Sequence, residues 1–213
     1  MFEAVIFDMD GVLIDSQHLH YKSDIDALSK AGAKASLRDV TPYAGVAAFD
    51  RFSAYKKNFK INLSVEELLR LQVETLSIAF GRGELVPIDG IPELLEFLRA
   101  RKKRTALASS SSNELIETVL TKTKLKNYFE IAISGEDVPS GKPSPDIFLR
   151  AAQMLGVLPA SCAVIEDSPN GILAAKRAGM TCFAYRSAEA PPEGFWQADL
   201  TVGDYSKLYD RLA

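Results

Sequence analysis

Val5-Ile6-Phe7-Asp8-Met9-Asp10-Gly11-Val12 carries an apolar run straight into two carboxylates one residue apart. An apolar run bounded by Gly reads as a strand buried on both faces. Asp8 and Asp10 therefore fall where the strand ends and the backbone must turn. Side chains at i and i+2 share a face while the extended conformation lasts, so both acids can address one site. Crowding two carboxylates raises one pKa unless a cation relieves the repulsion, which points to acid-base chemistry or to a Mg2+ site. Taken alone, the pair reads equally well as a polar turn in which one Asp caps a following helix.

Working outward, the chain from Arg104 onward alternates short apolar runs with amphipathic stretches, the pattern of a parallel α/β sheet. Strands are predicted at residues 105–108, 130–133, 162–165 and 181–185, and helices at 92–101 and 113–123. Ser144-Pro145 and Ser168-Pro169 each set an N-cap hydroxyl before a Pro at the first helical position, and Gly156 and Gly179 stand where helices stop. Residues 15–86 lack strand-like runs and carry helical periodicity at 21–31 and 65–79, so they read as an all-helical insertion. The expected division is a core of residues 1–14 and 87–213 with a helical cap of 15–86 above the carboxyl ends of the strands, where open parallel sheets bind ligands.

Composition narrows the class without choosing a function. The 213 residues are 47% apolar and 25% charged with a net charge of -3, which is ordinary for a globular protein and leaves no basic footprint for nucleic acid. The short apolar start is broken by Glu3 and followed by acids, so it reads as neither a signal peptide nor a membrane span. The expectation is a cytoplasmic protein without a membrane partner, a monomer by default. Cys162 and Cys182 lie in apolar runs and read as buried reduced thiols.

The predicted strands end in chemically useful residues: Asp8 and Asp10, then Ser109, Lys142 on a later loop, and Glu166 with Asp167. Parallel strands gather such ends at one edge. The inventory suits phosphoryl transfer through an acyl phosphate, with a carboxylate that attacks, a second that handles a proton, and cations and hydroxyls that neutralise phosphate oxygens. Each element has an ordinary reading by itself. Ser111 and Glu114 stand at capping-box spacing, Lys142 could be a solvated loop charge, and Glu166-Asp167 could be a polar cap before Ser168. Their joint occurrence favours a site.

Asp8-Met9-Asp10-Gly11-Val12-Leu13-Ile14-Asp15-Ser16, Ala108-Ser109-Ser110, Gly141-Lys142-Pro143-Ser144-Pro145-Asp146 and Ile165-Glu166-Asp167-Ser168 resemble, in order, the four motifs of the haloacid dehalogenase-like (HAD) hydrolase superfamily. The likeness is to the branch with a helical cap after the first strand, and within it to β-phosphoglucomutase and related sugar-phosphate phosphatases. The resemblance implies a Rossmann-like, doubly wound parallel sheet. It implies that Asp8 is the nucleophile, Asp10 the general acid and then base, and Ser109, Ser110 and Lys142 the grip on the phosphoryl group. It also implies Mg2+ held by Asp8, the backbone carbonyl of Asp10 and Asp167, with Glu166 acting directly or through water. The substrate would be a small phosphorylated metabolite.

Asp10 favours phosphate esters, because members of the superfamily that cleave carbon-halogen bonds or phosphonates look different at that position. A mutase cap motif resembling Gly-Val-Ser-Arg grips a distal phosphate, and here Gly45-Val46-Ala47-Ala48 has Ala where Ser and Arg would fall. The missing guanidinium removes a bidentate clamp and puts mutase activity behind hydrolysis. Arg51 reads as a substitute clamp or, more simply, a solvated face residue, and His20 as a hinge-side residue or a packed structural one. Two readings from other classes fit less well. A phosphate-accepting receiver module is much shorter and carries its Asp on a later strand, and an idle binding protein has no reason to keep Asp8, Asp10 and Asp167 together.

Overall fold

Ala4–Phe7 forms β1, and each of its side chains is fully buried, as an apolar run without alternation requires. In the computed structural model, which describes residues 1–44, 46–187 and 194–213, this strand pairs in parallel on both sides. The chain divides into two units, Met1–Asp15 with Leu85–Ala213, and Ser16–Glu84.

The first unit is built on the sheet. Its strands are β1, β2 (Arg104–Ser109), β3 (Ile131–Ser134), β4 (Cys162–Glu166), β5 (Thr181–Tyr185) and β6 (Leu200–Val202). The described strands lie in the order β3-β2-β1-β4-β5-β6, all parallel. This is the doubly wound, Rossmann-like order, whose direction reverses between β1 and β4 and opens a crevice at their carboxyl ends. One face carries Ala4, Ile6, Ala106, Val164, Cys182 and their neighbours against a helical layer that includes Phe148, Leu155 and Ile172. On the other face Phe7 meets Phe129 edge-on at 5.7 Å. Cys162 and Cys182 are buried and unbridged.

The second unit contains α1 (Gln17–Lys30), α2 (Leu37–Val40), α3 (Ala48–Phe59) and α4 (Val65–Arg82), and no strand among its described residues. Leu28, Val40, Phe52, Tyr55 and Leu68 make its core. Ser64 starts α4 with a complete capping box, its hydroxyl accepting from Glu67 N while the Glu67 carboxylate accepts from Ser64 N. α1 and α4 are joined by the Ser23 and Thr75 hydroxyls, 3.0 Å apart.

The remaining helices belong to the sheet unit: α5 (Ile91–Ala100), α6 (Asn113–Lys122), α7 (Asp146–Leu155), α8 (Pro169–Arg177) and α9 (Tyr209–Leu212). Ser168 caps α8 as expected, accepting from Gly171 N at 3.1 Å. Ser144 does not cap α7. Its hydroxyl is spent on the Asp146 carboxylate at 2.8 Å, and Pro145 takes the N-cap position. β3 begins one residue later than predicted, and β6 was not anticipated because three residues are too few to establish a period. No helix among the described residues is long and apolar enough to cross a membrane.

Candidate active site

The site begins where β1 stops. Asp8 extends the ladder by one bond, its N–H donating to Ile165 O at 3.0 Å, so its side chain leaves the sheet at the β1–β4 crevice. The next residues fold into a tight turn in which Met9 O accepts from Leu13 N at 2.8 Å. Gly11 sits in that turn at φ 76°, and a Cβ there would fall 1.9 Å from Oδ2 of Asp167. Only glycine serves both the turn and the close approach of the Asp167 carboxylate.

Lys142, between β3 and α7, gathers three strand ends. Its ammonium donates to the Asp8 carboxylate, to Ala108 O at 3.1 Å and to Glu166 Oε1 at 2.7 Å, and it lies over the Phe148 ring. Its side chain is 6% exposed, so the reading of a solvated loop charge is excluded. The Lys142–Pro143 peptide is cis. Burial works against the ammonium, but the Asp8 and Glu166 charges outweigh it and hold Lys142 protonated above the usual lysine range.

Glu166, at the end of β4, is fully engaged. Oε1 takes Lys142, and Oε2 accepts from Asp167 N, Ser168 N and Ser168 Oγ at 2.8, 2.8 and 2.9 Å. A Cβ on Gly171 would lie 1.7 Å from Oε1, so the first turn of α8 closes over this carboxylate.

Charge is in excess on the acidic side. The Asp8 carboxyl is pushed up to about 7, by burial first and then by repulsion from Glu166 and Asp10, with Lys142 opposing. Asp167 is raised well above the usual carboxylate range, by burial first and then by Glu166 and Asp8. Hard oxygen donors that repel one another in this way could hold a divalent cation. Among the described residues no three His, Cys, Asp or Glu side chains form a ready-made metal cage.

Ser109 ends β2 buried, and its Oγ accepts from Ser111 N at 3.1 Å. Ser110 is exposed on the same loop. The expected capping box at Ser111 does not form: Ser112 is the N-cap of α6, accepting from Leu115 N, and Ser111 Oγ instead donates to Asp10 Oδ2 at 2.9 Å. Sequence reasoning missed this role because a run of four serines offers a cap at several positions and only backbone dihedrals choose one.

The remaining candidates belong to the helical unit. His20 meets the Phe80 ring edge-on at 5.8 Å. Gly45 lies outside the described residues. Arg51 is not a solvated face residue. Its Nε stands 2.7 Å from Asp24 Oδ2, its Nη1 donates to Val46 O at 2.8 Å, and Tyr55 OH donates to the same Asp24 oxygen at 3.1 Å. Asp24 is buried on α1 and requires a countercharge, which the sequence signalled only as an acid among buried positions.

The family description "haloacid dehalogenase-like hydrolase" matches residues 2–179. Hexitol phosphatase B of Escherichia coli is 31% identical over 96% of this chain and 93% of its own length. The phosphorylated carbohydrates phosphatase of Thermotoga maritima is 32% identical over 84% of this chain and 82% of its own. A β-phosphoglucomutase-like crystal structure from Thermotoga maritima superposes with a TM-score of 0.81 at 28% identity, over 99% of this chain and 98% of that one.

Proposed function

The chain belongs to the haloacid dehalogenase-like hydrolases, and from that premise we propose that it is a Mg2+-dependent phosphatase that cleaves a small phosphomonoester through an aspartyl phosphate. The observation that carries the reading is the buried Lys142 bridge between Asp8 and Glu166, with the Asp10 and Asp167 carboxyls beside it. A sugar phosphate is the substrate class that the names of the relatives support.

In this reading the Asp8 carboxylate attacks phosphorus and the ester P–O bond breaks. The departing oxygen takes a proton from the Asp10 carboxyl. Asp10, now ionised, removes a proton from water as that water attacks the phosphoaspartate at phosphorus, and phosphate leaves with Asp8 restored. Lys142 and the Ser109 hydroxyl, with nearby backbone N–H groups, bind the phosphoryl oxygens. Glu166, whose oxygens are already taken, holds Lys142 in place instead of serving as a metal ligand. Asp8, Asp167 and the backbone carbonyl of Asp10 are the groups that would hold Mg2+, and a cation there would relieve the repulsion between the Asp8 and Asp167 carboxylates. When bound, the ion neutralises phosphoryl charge and keeps Asp8 ionised at neutral pH.

Hydrolysis is favoured over mutase chemistry by the helical unit. Ala47 and Ala48 supply no clamp, and the Arg51 guanidinium is already committed to Asp24 and Val46 O. A panel of hexose, pentose, hexitol, glycerol and glycolate phosphates and nucleotides, assayed with Mg2+ for inorganic phosphate, tests the reading. Expected is phosphate release with no bisphosphate activator, abolished in Asp8→Asn. Turnover retained by that variant would remove the nucleophile assignment.

A further inference from the structure

We propose that Ser111 is a positioning residue for the Asp10 carboxyl, held in place from the end of β3 by Ser134. The inference rests on the phosphatase reading above and adds to it a residue outside the four motifs. Ser111 is anchored through its backbone on both sides. Its N–H donates to Ser109 Oγ at 3.1 Å, and its carbonyl accepts from Ser134 Oγ at 2.7 Å. Ser134 is fully buried and is fixed in turn, its N–H donating to the Asp137 carboxylate at 2.9 Å and its Oγ accepting from Glu136 N at 3.0 Å. Asn113, at the start of α6, ties the same turn to the loop, its backbone N–H reaching Glu136 at 3.1 Å and its side-chain amide reaching Asp137 at 3.2 Å.

This bracing aims one free-rotating group. The Ser111 hydroxyl reaches Asp10 Oδ2 at 2.9 Å and limits rotation of that carboxyl about its side-chain bonds. The capping of α6 does not need Ser111, because Ser112 does it. A hydroxyl can donate to a carboxylate or accept from a carboxylic acid at the same heavy-atom distance. The contact therefore survives when Asp10 gives up its proton and when it regains one, and orientation of the acid-base group is kept through both half-reactions.

The test compares two esters, because a poor leaving group depends on a well-aimed acid and a good one does not. Ser111→Ala and Ser111→Thr are assayed on 4-nitrophenyl phosphate and on the fastest sugar phosphate of the panel, with thermal unfolding midpoints measured alongside. Ser111→Ala is expected to lower kcat/KM for the sugar phosphate by about 10- to 100-fold, and for the aryl ester by less than about threefold. Ser111→Thr, which keeps the hydroxyl, should restore most of the sugar-phosphate rate. Equal losses on the two esters would mark a merely structural role and overturn the proposal, as would no loss on either. Asp8→Asn run in parallel separates the two readings. If it is inactive while Ser111→Ala matches the parent, the Ser111 role alone fails; if it is active, the phosphatase mechanism fails and the Ser111 role falls with it.

Discussion

The residue that does most in this molecule is Lys142, because one buried ammonium offsets two buried carboxylates. Replacing it by Met leaves Asp8 and Glu166 without a countercharge, and the expected cost is about 3–5 kcal/mol in urea unfolding. The acids around it set the pH response. Folded Asp8, pushed up to about 7, holds its proton above the ordinary 3.8, so the folded chain binds more protons than the unfolded one between about pH 4 and 7, and the raised Asp167 acts in the same direction. Their contribution to stability therefore falls as pH rises through that window. A divalent cation favours the ionised acids, so added Mg2+ should raise the unfolding midpoint more at pH 8 than at pH 5. Asp8→Asn should flatten the metal-free pH slope, and an unchanged slope would show that Asp8 is not its source. Asp8 and Glu166 stood out in sequence because each ends an apolar run, and Lys142 only through its place in the Gly141-Lys142-Pro143 motif of the loop after β3. Ser111 did not, because its partner Asp10 is 101 residues away in the chain.

At the scale of elements, the helical unit depends on a buried ion pair between α1 and α3. Asp24→Ala strands Arg51, whose side chain is only 15% exposed, and should destabilise the chain by about 3–5 kcal/mol. The double replacement Asp24→Leu, Arg51→Met removes both charges and should recover much of that loss. Hydrogen exchange provides the spatial check: α1 and α3 should lose protection in Asp24→Ala while β1 and β4 keep theirs. Periodicity identified α1 and α4 from sequence but could not reveal this pair, since a helical face shows which side is buried and not what faces it. Caps behaved the same way. Ser168 keeps its cap because its hydroxyl accepts from Gly171 N while donating to Glu166, whereas the Ser144 hydroxyl goes to Asp146 and Pro145 takes the N-cap position.

For the whole molecule, the insertion leaves and re-enters the sheet unit at neighbouring points. Ile14 bridges Pro87, and Ile88 N donates to Leu13 O at 2.8 Å. A chain in which residues 16–84 are replaced by a short Gly/Ser linker should therefore still form the parallel sheet, read by circular dichroism and a cooperative unfolding transition. Loss of the transition would mean that the sheet unit depends on the insertion. The parallel α/β class and the acids at the strand ends were determined by the sequence itself, since buried strands need continuous apolar runs and turns need Gly, Pro and polar caps. Strand order, the partner of each charge and the choice among four serines were decided only by tertiary structure. Those depend on which distant segments meet, and local propensity carries no information about the groups that burial will bring together.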